Sequence, residues 1–208
     1  MYLSKLILNP RSRPVQRDLA RPHDLHRTIL GAFPDDLDKA AERVLYRLDQ
    51  TRGGELHLLV QSHLQPNWSG LMGTDYLWAG PDNPALKEVE VRVQVGQQLA
   101  FRLRANPTKR MGKSAAHDKG KRVGLYKLEE QVNWLQRKAA DHGFAIGSVM
   151  PTQQQRTDDN RQNLKFLSVQ FDGVLQVTDT DKFLTAIQSG IGSGKAFGFG
   201  LLSVAPVR

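Results

Sequence analysis

The 208-residue chain contains no cysteine, which excludes a disulfide scaffold, a cysteine nucleophile, a zinc finger and an iron–sulfur site. It has no run of about 18 apolar residues, so no segment is predicted to span a membrane. Its first residues, Met1–Lys5, show neither the apolar core nor the cleavage site of a signal peptide. We therefore expect a cytoplasmic protein, and its hydrophobic content of 39% is sufficient for a packed core.

Acidic residues are scarce in one stretch of the chain. The formal net charge is +8, yet the first 100 residues are neutral overall. Between Phe101 and Lys127, nine basic residues accompany a single acidic residue, Asp118. Such a local positive field attracts polyanions, nucleic acid first and an anionic membrane surface second. The alternative is a solvated basic loop that has no partner.

Apolar periodicity predicts two successive β-α-β-β-α-β cycles. The elements of the first cycle are Tyr2–Asn9 (strand), Pro22–Phe33 (helix), Arg43–Asp49 and Glu55–Ser62 (strands), Trp68–Trp78 (weakly helical) and Ala85–Val95 (strand). Those of the second are Leu99–Arg104 (strand), Leu128–Ala140 (helix), Phe144–Met150, Lys165–Phe171 and Val174–Val177 (strands), Thr180–Gln188 (helix) and Leu201–Ala205 (strand). This order predicts an α+β protein of two tandem ferredoxin-like (RRM-like) βαββαβ domains, residues 1–96 and 97–208.

Two connections in the second cycle have composition typical of turns and loops. Asp172-Gly173 lies between two apolar runs, which predicts a tight β-hairpin there. The polar segment Pro151–Asn163 is predicted to be a mobile loop.

A glycine-rich segment, Ser189–Gly200, contains a Gly-Lys pair but does not match a phosphate-binding P-loop. Only three residues separate Gly190 from Gly194, and alanine rather than serine or threonine follows Lys195. The segment also departs from the aromatic RNA-binding signature of RRM domains, and it precedes a fourth strand instead of forming the third. Two interpretations remain: a loop whose backbone N–H groups approach a phosphate, and a loop whose glycines permit tight packing.

Two histidines, His23 and His26, lie three residues apart near the start of the first predicted helix and so share a face. The other histidines show no metal-ligand spacing to them, and no carboxylate cluster surrounds them, so no metal site is predicted. A helix N-terminus disfavours imidazolium and would keep a histidine neutral near pH 7, as a general base requires. The alternative is a pair of surface histidines.

A third feature is the segment Phe101–Lys109, FRLRANPTK, in which arginine and leucine alternate before an Asn-Pro turn. Alternation in a strand directs Arg102 and Arg104 to the same sheet face, where they can meet phosphates. A half-exposed strand without a ligand is the alternative.

Taken together, these segments resemble the CasE family, the precursor-CRISPR-RNA endoribonuclease of the type I-E Cascade complex. The resemblance covers essentially the whole chain, from Met1-Tyr2-Leu3-Ser4-Lys5 to Pro206, and is most specific in FRLRANPTK, Leu25-His26 and GIGSGKAFGFGLLSVAP. It implies two ferredoxin-like domains and metal-independent cleavage of a repeat RNA hairpin at the base of its stem. Products with a 2′,3′-cyclic phosphate and a 5′-hydroxyl are implied, as is retention of the RNA within Cascade.

The resemblance assigns His26 to the family's catalytic histidine. His23 is the second candidate catalytic residue: it occupies a position where the family commonly has tyrosine, and its imidazole could position or protonate the substrate. No cofactor is expected, and the expected partners are a CRISPR repeat hairpin and other Cascade subunits, with no membrane. The candidate RNA-binding residues are Arg27, Arg102, Arg104, Lys109, Arg110, Lys113, Lys119, Lys121, Arg122, Lys165, Ser193, Gly194 and Lys195. A non-catalytic RNA-binding module on the same fold is the alternative hypothesis.

Overall fold

A computed structural model describes residues 1–38, 42–111, 122–159 and 164–207, and only the backbone of 153–159 and 164–165. The chain forms two compact units. Unit 1 comprises Met1–Val91 together with Lys195–Leu201, and unit 2 comprises Arg92–Gly194 together with Leu202–Arg208. The sequence prediction assigns the whole glycine-rich segment to the second domain, whereas in the structure residues 195–200 of that segment belong to unit 1.

Unit 1 is built on a four-stranded antiparallel sheet of order β2-β3-β1-β4. Its elements are β1 (Tyr2–Leu8), α1 (Arg13–Ala20), α2 (Pro22–Leu30), β2 (Leu45–Gln50), β3 (Leu56–Ser62), a 3₁₀ turn (Trp68–Gly70) and β4 (Ala85–Glu88). The first and third strands occupy the centre of the sheet, which is the strand order of the ferredoxin-like fold.

Alternating side chains of the central strands form the core of unit 1. Leu6 and Leu8 of β1 are completely buried, and Leu58 and Val60 of β3 belong to the same cluster. Helix α2 adds Leu25 and Ile29, which are one turn apart and therefore face the sheet together. Each such buried side chain stabilises the fold by about 1.5–3 kcal/mol, so this cluster holds α2 on the sheet.

Unit 2 contains a second antiparallel sheet, of order β10-β5-β9-β8, and a two-stranded ribbon, β6-β7. Its elements are β5 (Gln98–Ala105), β6 (Thr108–Arg110), β7 (Arg122–Gly124), α3 (Leu128–Asp141), β8 (Phe144–Asp159), β9 (Leu164–Val177), α4 (Thr180–Ser189) and β10 (Leu202–Pro206); a 3₁₀ turn at Lys195–Phe197 belongs to unit 1. This sheet repeats the strand order of unit 1. The predicted α+β class with two tandem ferredoxin-like domains is thus confirmed.

The predicted hairpin at Asp172-Gly173 is wrong, because β9 continues through it without a turn. A side-chain Cβ on Gly173 would lie 2.0 Å from the carbonyl oxygen of Ser148 on β8. The glycine therefore permits a close approach between two strands, at a place where their register is irregular between Ile146 and Ser148. A glycine that serves a close contact has the same local sequence as one that serves a turn.

The predicted loop Pro151–Asn163 is also wrong over most of its length. Strand β8 extends to Asp159 and pairs with β9 from Phe144↔Val177 to Asp159↔Leu164. Residues 160–163 of this segment lie outside the described residues. Backbone pairing thus extends a strand through a polar sequence that lacks apolar alternation.

Helix α1 was not anticipated from the sequence, and it supports α2. Ser12 caps it by accepting a hydrogen bond from the backbone N–H of Val15. Asp18, completely buried, accepts hydrogen bonds from Thr28 of α2 at 2.6 Å and from Tyr76 at 2.9 Å. The Thr28 bond ties α1 to α2. The second carboxylate oxygen of Asp18 accepts from the guanidinium of Arg17 at 2.9 Å, so the buried carboxylate is satisfied. Within the part of the chain that the structure describes, no helix is long and apolar enough to cross a membrane.

Candidate active site and nucleic-acid interface

His26 occupies the fifth position of α2, beside the buried stripe of that helix. Pro22 begins the helix, where its missing N–H costs no hydrogen bond, and Leu25 and Ile29 are buried. His26 follows Leu25 by one residue and is therefore half-buried at the flank of the stripe. The electrostatic effect of a helix N-terminus is confined to the first turn, so it acts on His23 more than on His26.

Tyr46 of β2 packs against His26. The two rings stack with centroids 6.1 Å apart and planes inclined by 20°. Tyr46 is only 2% exposed, and its hydroxyl donates a hydrogen bond of 2.9 Å to the backbone carbonyl of Ala196. The carbonyl of Pro22 lies 3.4 Å from the same hydroxyl. One buried side chain thus touches the histidine, the start of its helix and the 3₁₀ turn at Lys195–Phe197.

His26 opens onto a cleft of about 100 Å³ in unit 1. The polar lining includes His26, Arg43 and Lys195, while Leu30 and Val44 contribute apolar wall. Two cations and an imidazole therefore face a common space. This is an arrangement that favours an anion, because an anion between two cations lowers their mutual repulsion.

An acidic residue, Glu42, also lines the cleft, but its carboxylate is engaged elsewhere. One oxygen accepts a hydrogen bond of 2.6 Å from the backbone N–H of His63, and the other accepts one of 3.0 Å from that of Leu64. Glu42 therefore holds the end of β3 in place. Because Arg43 and Lys195 oppose this single carboxylate, the net charge of the cleft lining is positive.

Lys195 has a perturbed pKa in this cleft. Partial burial lowers its pKa below the ordinary lysine value, and the positive charge of Arg43 lowers it further. Both causes penalise the ammonium form in the absence of an anion. A bound phosphate would offset the effect of Arg43 on the pKa of Lys195, because it places negative charge beside both cations.

The other two polar residues of α2 that the sequence singled out have different surroundings. His23 is exposed and lies outside the residues that line the cleft. Arg27 is 72% exposed and pairs with Asp24, which Arg21 also approaches to 3.6 Å. Burial raises the pKa of Asp24, but the hydrogen bond and charge of Arg27, with Arg21, lower it overall.

Arg102 and Arg104 share the exposed face of β5. The residues between and beside them, Phe101, Leu103 and Ala105, are buried on the opposite face. Arg102 donates to Asp172 on β9 through Nε at 2.6 Å and through Nη2 at 3.3 Å. The Nε of Arg104 donates to the Ser168 hydroxyl at 2.7 Å. The strand neighbours thus hold both guanidinium groups in fixed orientations.

The basic stretch after β5 is partly a β-ribbon. Strands β6 and β7 place Arg110 opposite Arg122, and both side chains are exposed. Lys109 donates to Glu130 of α3 at 2.9 Å, a bond that lowers the pKa of Glu130. Like charges on directly opposed residues destabilise a ribbon unless an anion lies between them.

The structure does not describe the side chains of four other candidate RNA-binding lysines. Lys113, Lys119 and Lys121 lie outside the described residues. The backbone of Lys165 belongs to β9 and pairs with Asp158, but its side chain is not described.

The glycine-rich segment serves packing at two of its glycines. A Cβ on Gly192 would lie 3.1 Å from the Trp134 ring, within unit 2. In unit 1, a Cβ on Gly198 would lie 3.0 Å from the Tyr46 ring. Gly194 has a φ of +80°, a conformation that favours glycine, and Ser193 is half-buried. Tight packing thus accounts for Gly192 and Gly198, while Lys195 faces the cleft.

Arg43 and Tyr46 are site residues that the sequence did not reveal. Both lie within the predicted strand Arg43–Asp49, where no motif marks them, and their place in the site follows from contacts with residues far away in the sequence. The Tyr46–Ala196 bond joins residues 150 positions apart. Among the residues whose side chains the structure describes, no group of three histidine or acidic side chains could hold a metal ion.

The fold and this basic histidine cleft define a protein of two ferredoxin-like units. Residues 1–206 match the family described as CRISPR associated protein. The chain is 41% identical to CRISPR-associated endoribonuclease Cse3 of Thermus thermophilus, a match that covers 99% of this chain and 100% of the relative. It is 34% identical to CRISPR system Cascade subunit CasE of Escherichia coli, with both chains covered completely.

Among solved structures, Thermus thermophilus Cse3 bound to an RNA that represents a pre-cleavage complex superposes with a TM-score of 0.86 at 38% identity. That match covers 99% of this chain and 98% of the other. The chain therefore belongs to the CRISPR-associated protein family, as the sequence resemblance indicated.

Proposed function

We propose that this chain is a metal-independent endoribonuclease that cleaves precursor CRISPR RNA at the base of the repeat stem-loop. The observation that carries the proposal is the cleft of unit 1, in which His26 faces the same space as Arg43 and Lys195. The full-length similarity to an endoribonuclease and to a Cascade subunit supports the choice of substrate.

RNA carries its own nucleophile, the 2′-hydroxyl next to the scissile phosphate. Its oxygen attacks phosphorus while the bond from phosphorus to the 5′-oxygen breaks, which leaves a 2′,3′-cyclic phosphate and a 5′-hydroxyl. One proton leaves the 2′-hydroxyl and one reaches the 5′-oxygen, so the enzyme supplies a base, an acid and alignment. His26 is the residue proposed to move a proton in this step.

Negative charge accumulates on the phosphate oxygens during the attack. Arg43 and Lys195 are proposed to stabilise this charge, because both cations are present in the cleft before the substrate arrives. The partial burial of Lys195 strengthens its interaction with an anion, since water screens it less. His23 and Arg27, at the exposed side of α2, are proposed to contact RNA next to the cleft.

The stem of the hairpin is proposed to contact unit 2 through two sets of cations. The exposed face of β5 supplies Arg102 and Arg104, and the ribbon supplies Lys109, Arg110 and Arg122. Duplex RNA is recognised mainly by shape, phosphates and 2′-hydroxyls, for which such a basic surface is suited. The cleaved stem-loop is proposed to stay bound, which makes the protein a subunit of Cascade.

The test is incubation of the purified protein with its repeat hairpin in the presence of EDTA. We expect a single cut, a product with a cyclic phosphate end, and no cut when a 2′-deoxynucleotide replaces the nucleotide at the scissile bond. Cleavage that stops in EDTA would contradict metal independence. Tight binding without cleavage, at any hairpin position, would contradict the enzyme and support an RNA-binding module.

A further inference from the structure

Tyr46 joins two walls of the His26 cleft that are far apart in sequence. Its ring stacks on His26 of α2, and its hydroxyl holds the carbonyl of Ala196, the neighbour of Lys195. Tyr46 itself lies in β2 and pairs with Val60 of the adjacent strand. Both contacts, one with His26 and one with Ala196, are therefore made from a residue fixed in the sheet of unit 1.

We propose that Tyr46 is a positioning residue that sets the separation of His26 and Lys195, so that both meet one phosphate. This inference rests on the proposed function, because it assumes that His26 and Lys195 act on the same scissile group. Tyr46 itself is not expected to touch the RNA, since the residue is 2% exposed and its hydroxyl bonds to backbone.

The geometry on the Lys195 side depends on the tyrosine hydroxyl. A phenol has one proton, and the nearer acceptor, the Ala196 carbonyl at 2.9 Å, receives it in preference to that of Pro22 at 3.4 Å. The 3₁₀ turn that carries Lys195 closes with a weak bond of 3.3 Å from the N–H of Gly198 to the Lys195 carbonyl. The tyrosine hydroxyl therefore adds an anchor between the sheet of unit 1 and this short turn.

The geometry on the His26 side depends on the tyrosine ring. Gly198 approaches one part of the ring so closely that a Cβ would lie 3.0 Å from it, the imidazole of His26 stacks on the ring, and the residue is part of the buried core of unit 1. The ring thus has little freedom to rotate or shift. A displacement of about 1 Å between catalytic groups can cost about 100-fold in rate. A rigid side chain between His26 and the turn that carries Lys195 therefore protects the cleavage rate.

Tyr46→Phe is the direct test, because it keeps the ring and its stacking but removes the bond to Ala196. In single-turnover cleavage of the repeat hairpin at saturating enzyme, we expect the rate to fall by about tenfold or more. The dissociation constant of a non-cleavable hairpin should change less than about twofold. This split separates placement of the reacting groups from binding.

Tyr76→Phe is the matched control. Tyr76 is also a buried tyrosine of unit 1, and its hydroxyl donates a hydrogen bond of the same length, 2.9 Å, to Asp18. The substitution removes this bond and keeps the ring. We expect this variant to be less stable in urea yet to cleave at the wild-type rate. Equal losses of rate in the two variants would overturn the inference, because they would reduce Tyr46 to a contributor to stability.

A double-mutant cycle gives the second readout. If Tyr46 acts by placing Lys195, then Tyr46→Phe should have a much smaller effect on rate when Lys195 is already alanine. Full additivity of the two effects would overturn the inference, as would a wild-type rate for Tyr46→Phe alone. Wild-type protein that does not cleave the hairpin would instead contradict the proposed function.

Discussion

The paired arginines of the β-ribbon allow a quantitative test of RNA binding. Arg110 and Arg122 oppose each other across β6 and β7, and both are exposed. In the free protein their charges repel, so replacing both with glutamine should not lower the free energy of unfolding. In the complex they are expected to lie on phosphates of the stem, so the same change should weaken binding.

The magnitude follows from counterion release. Each cation seated on a phosphate contributes about 0.9 to the slope of log affinity against log salt concentration. Two lost contacts lower that slope by about 1.8, which corresponds to about 12-fold in affinity over the fourfold range from about 50 to about 200 mM salt. The wild-type protein should therefore lose about 12-fold more affinity than the double variant over this range.

The assay is titration of a non-cleavable repeat hairpin at several salt concentrations, followed by fluorescence anisotropy. The matched control replaces Arg52 and Lys87, two exposed cations of unit 1, with glutamine, which changes the net charge equally. The control should lower affinity slightly through the overall field but leave the slope almost unchanged. An unchanged slope for Arg110→Gln/Arg122→Gln would refute phosphate contacts by the ribbon.

Three further predictions concern Lys195, Gly173 and His23. Arg43→Gln should raise the pKa of Lys195, because one of the two causes that lower it is removed, so the alkaline loss of cleavage in a pH–rate profile should move to higher pH. Gly173→Ala should destabilise unit 2 by about 3 kcal/mol in urea unfolding, because its methyl group would overlap the Ser148 carbonyl; a stability close to wild type would contradict the observed strand pairing. His23→Ala should lower the cleavage rate less than loss of His26 does, and His23→Tyr should retain activity; full speed in His23→Ala would make that residue a bystander.

Side-chain periodicity was enough to predict most strands and helices, since it reflects burial on one face. Strand β5 is an example, in which Phe101 and Leu103 face the core and Arg102 and Arg104 face outward, as their alternation indicates. Local sequence was misleading at Gly173, because the reason for that glycine is the carbonyl of Ser148 on another strand. Turn preferences reflect only local backbone conformation. A glycine that is required by a close approach between two strands therefore cannot be recognised from its neighbours in the sequence.

In the candidate site too, some residues could be predicted from local sequence and others depend on contacts between distant segments. His26 was predicted from its place on the helix and from the family resemblance, and its catalytic role stays a proposal. Arg43 could not be predicted, because no local motif distinguishes it from the other arginines of the chain. Tyr46 looks like an ordinary core residue of a strand, and only the contacts with His26 and Ala196 reveal its position in the site.

The measurement that tests the central claim most directly is single-turnover cleavage of the repeat hairpin in EDTA by wild-type protein and His26→Ala. Loss of a general acid–base group typically costs about 10²–10⁴-fold, so we expect a loss of rate in that range with hairpin affinity almost unchanged. His63→Ala, at an exposed histidine of the same unit, should cleave at the wild-type rate. Cleavage by His26→Ala at the wild-type rate would contradict the assignment of the active site to this cleft.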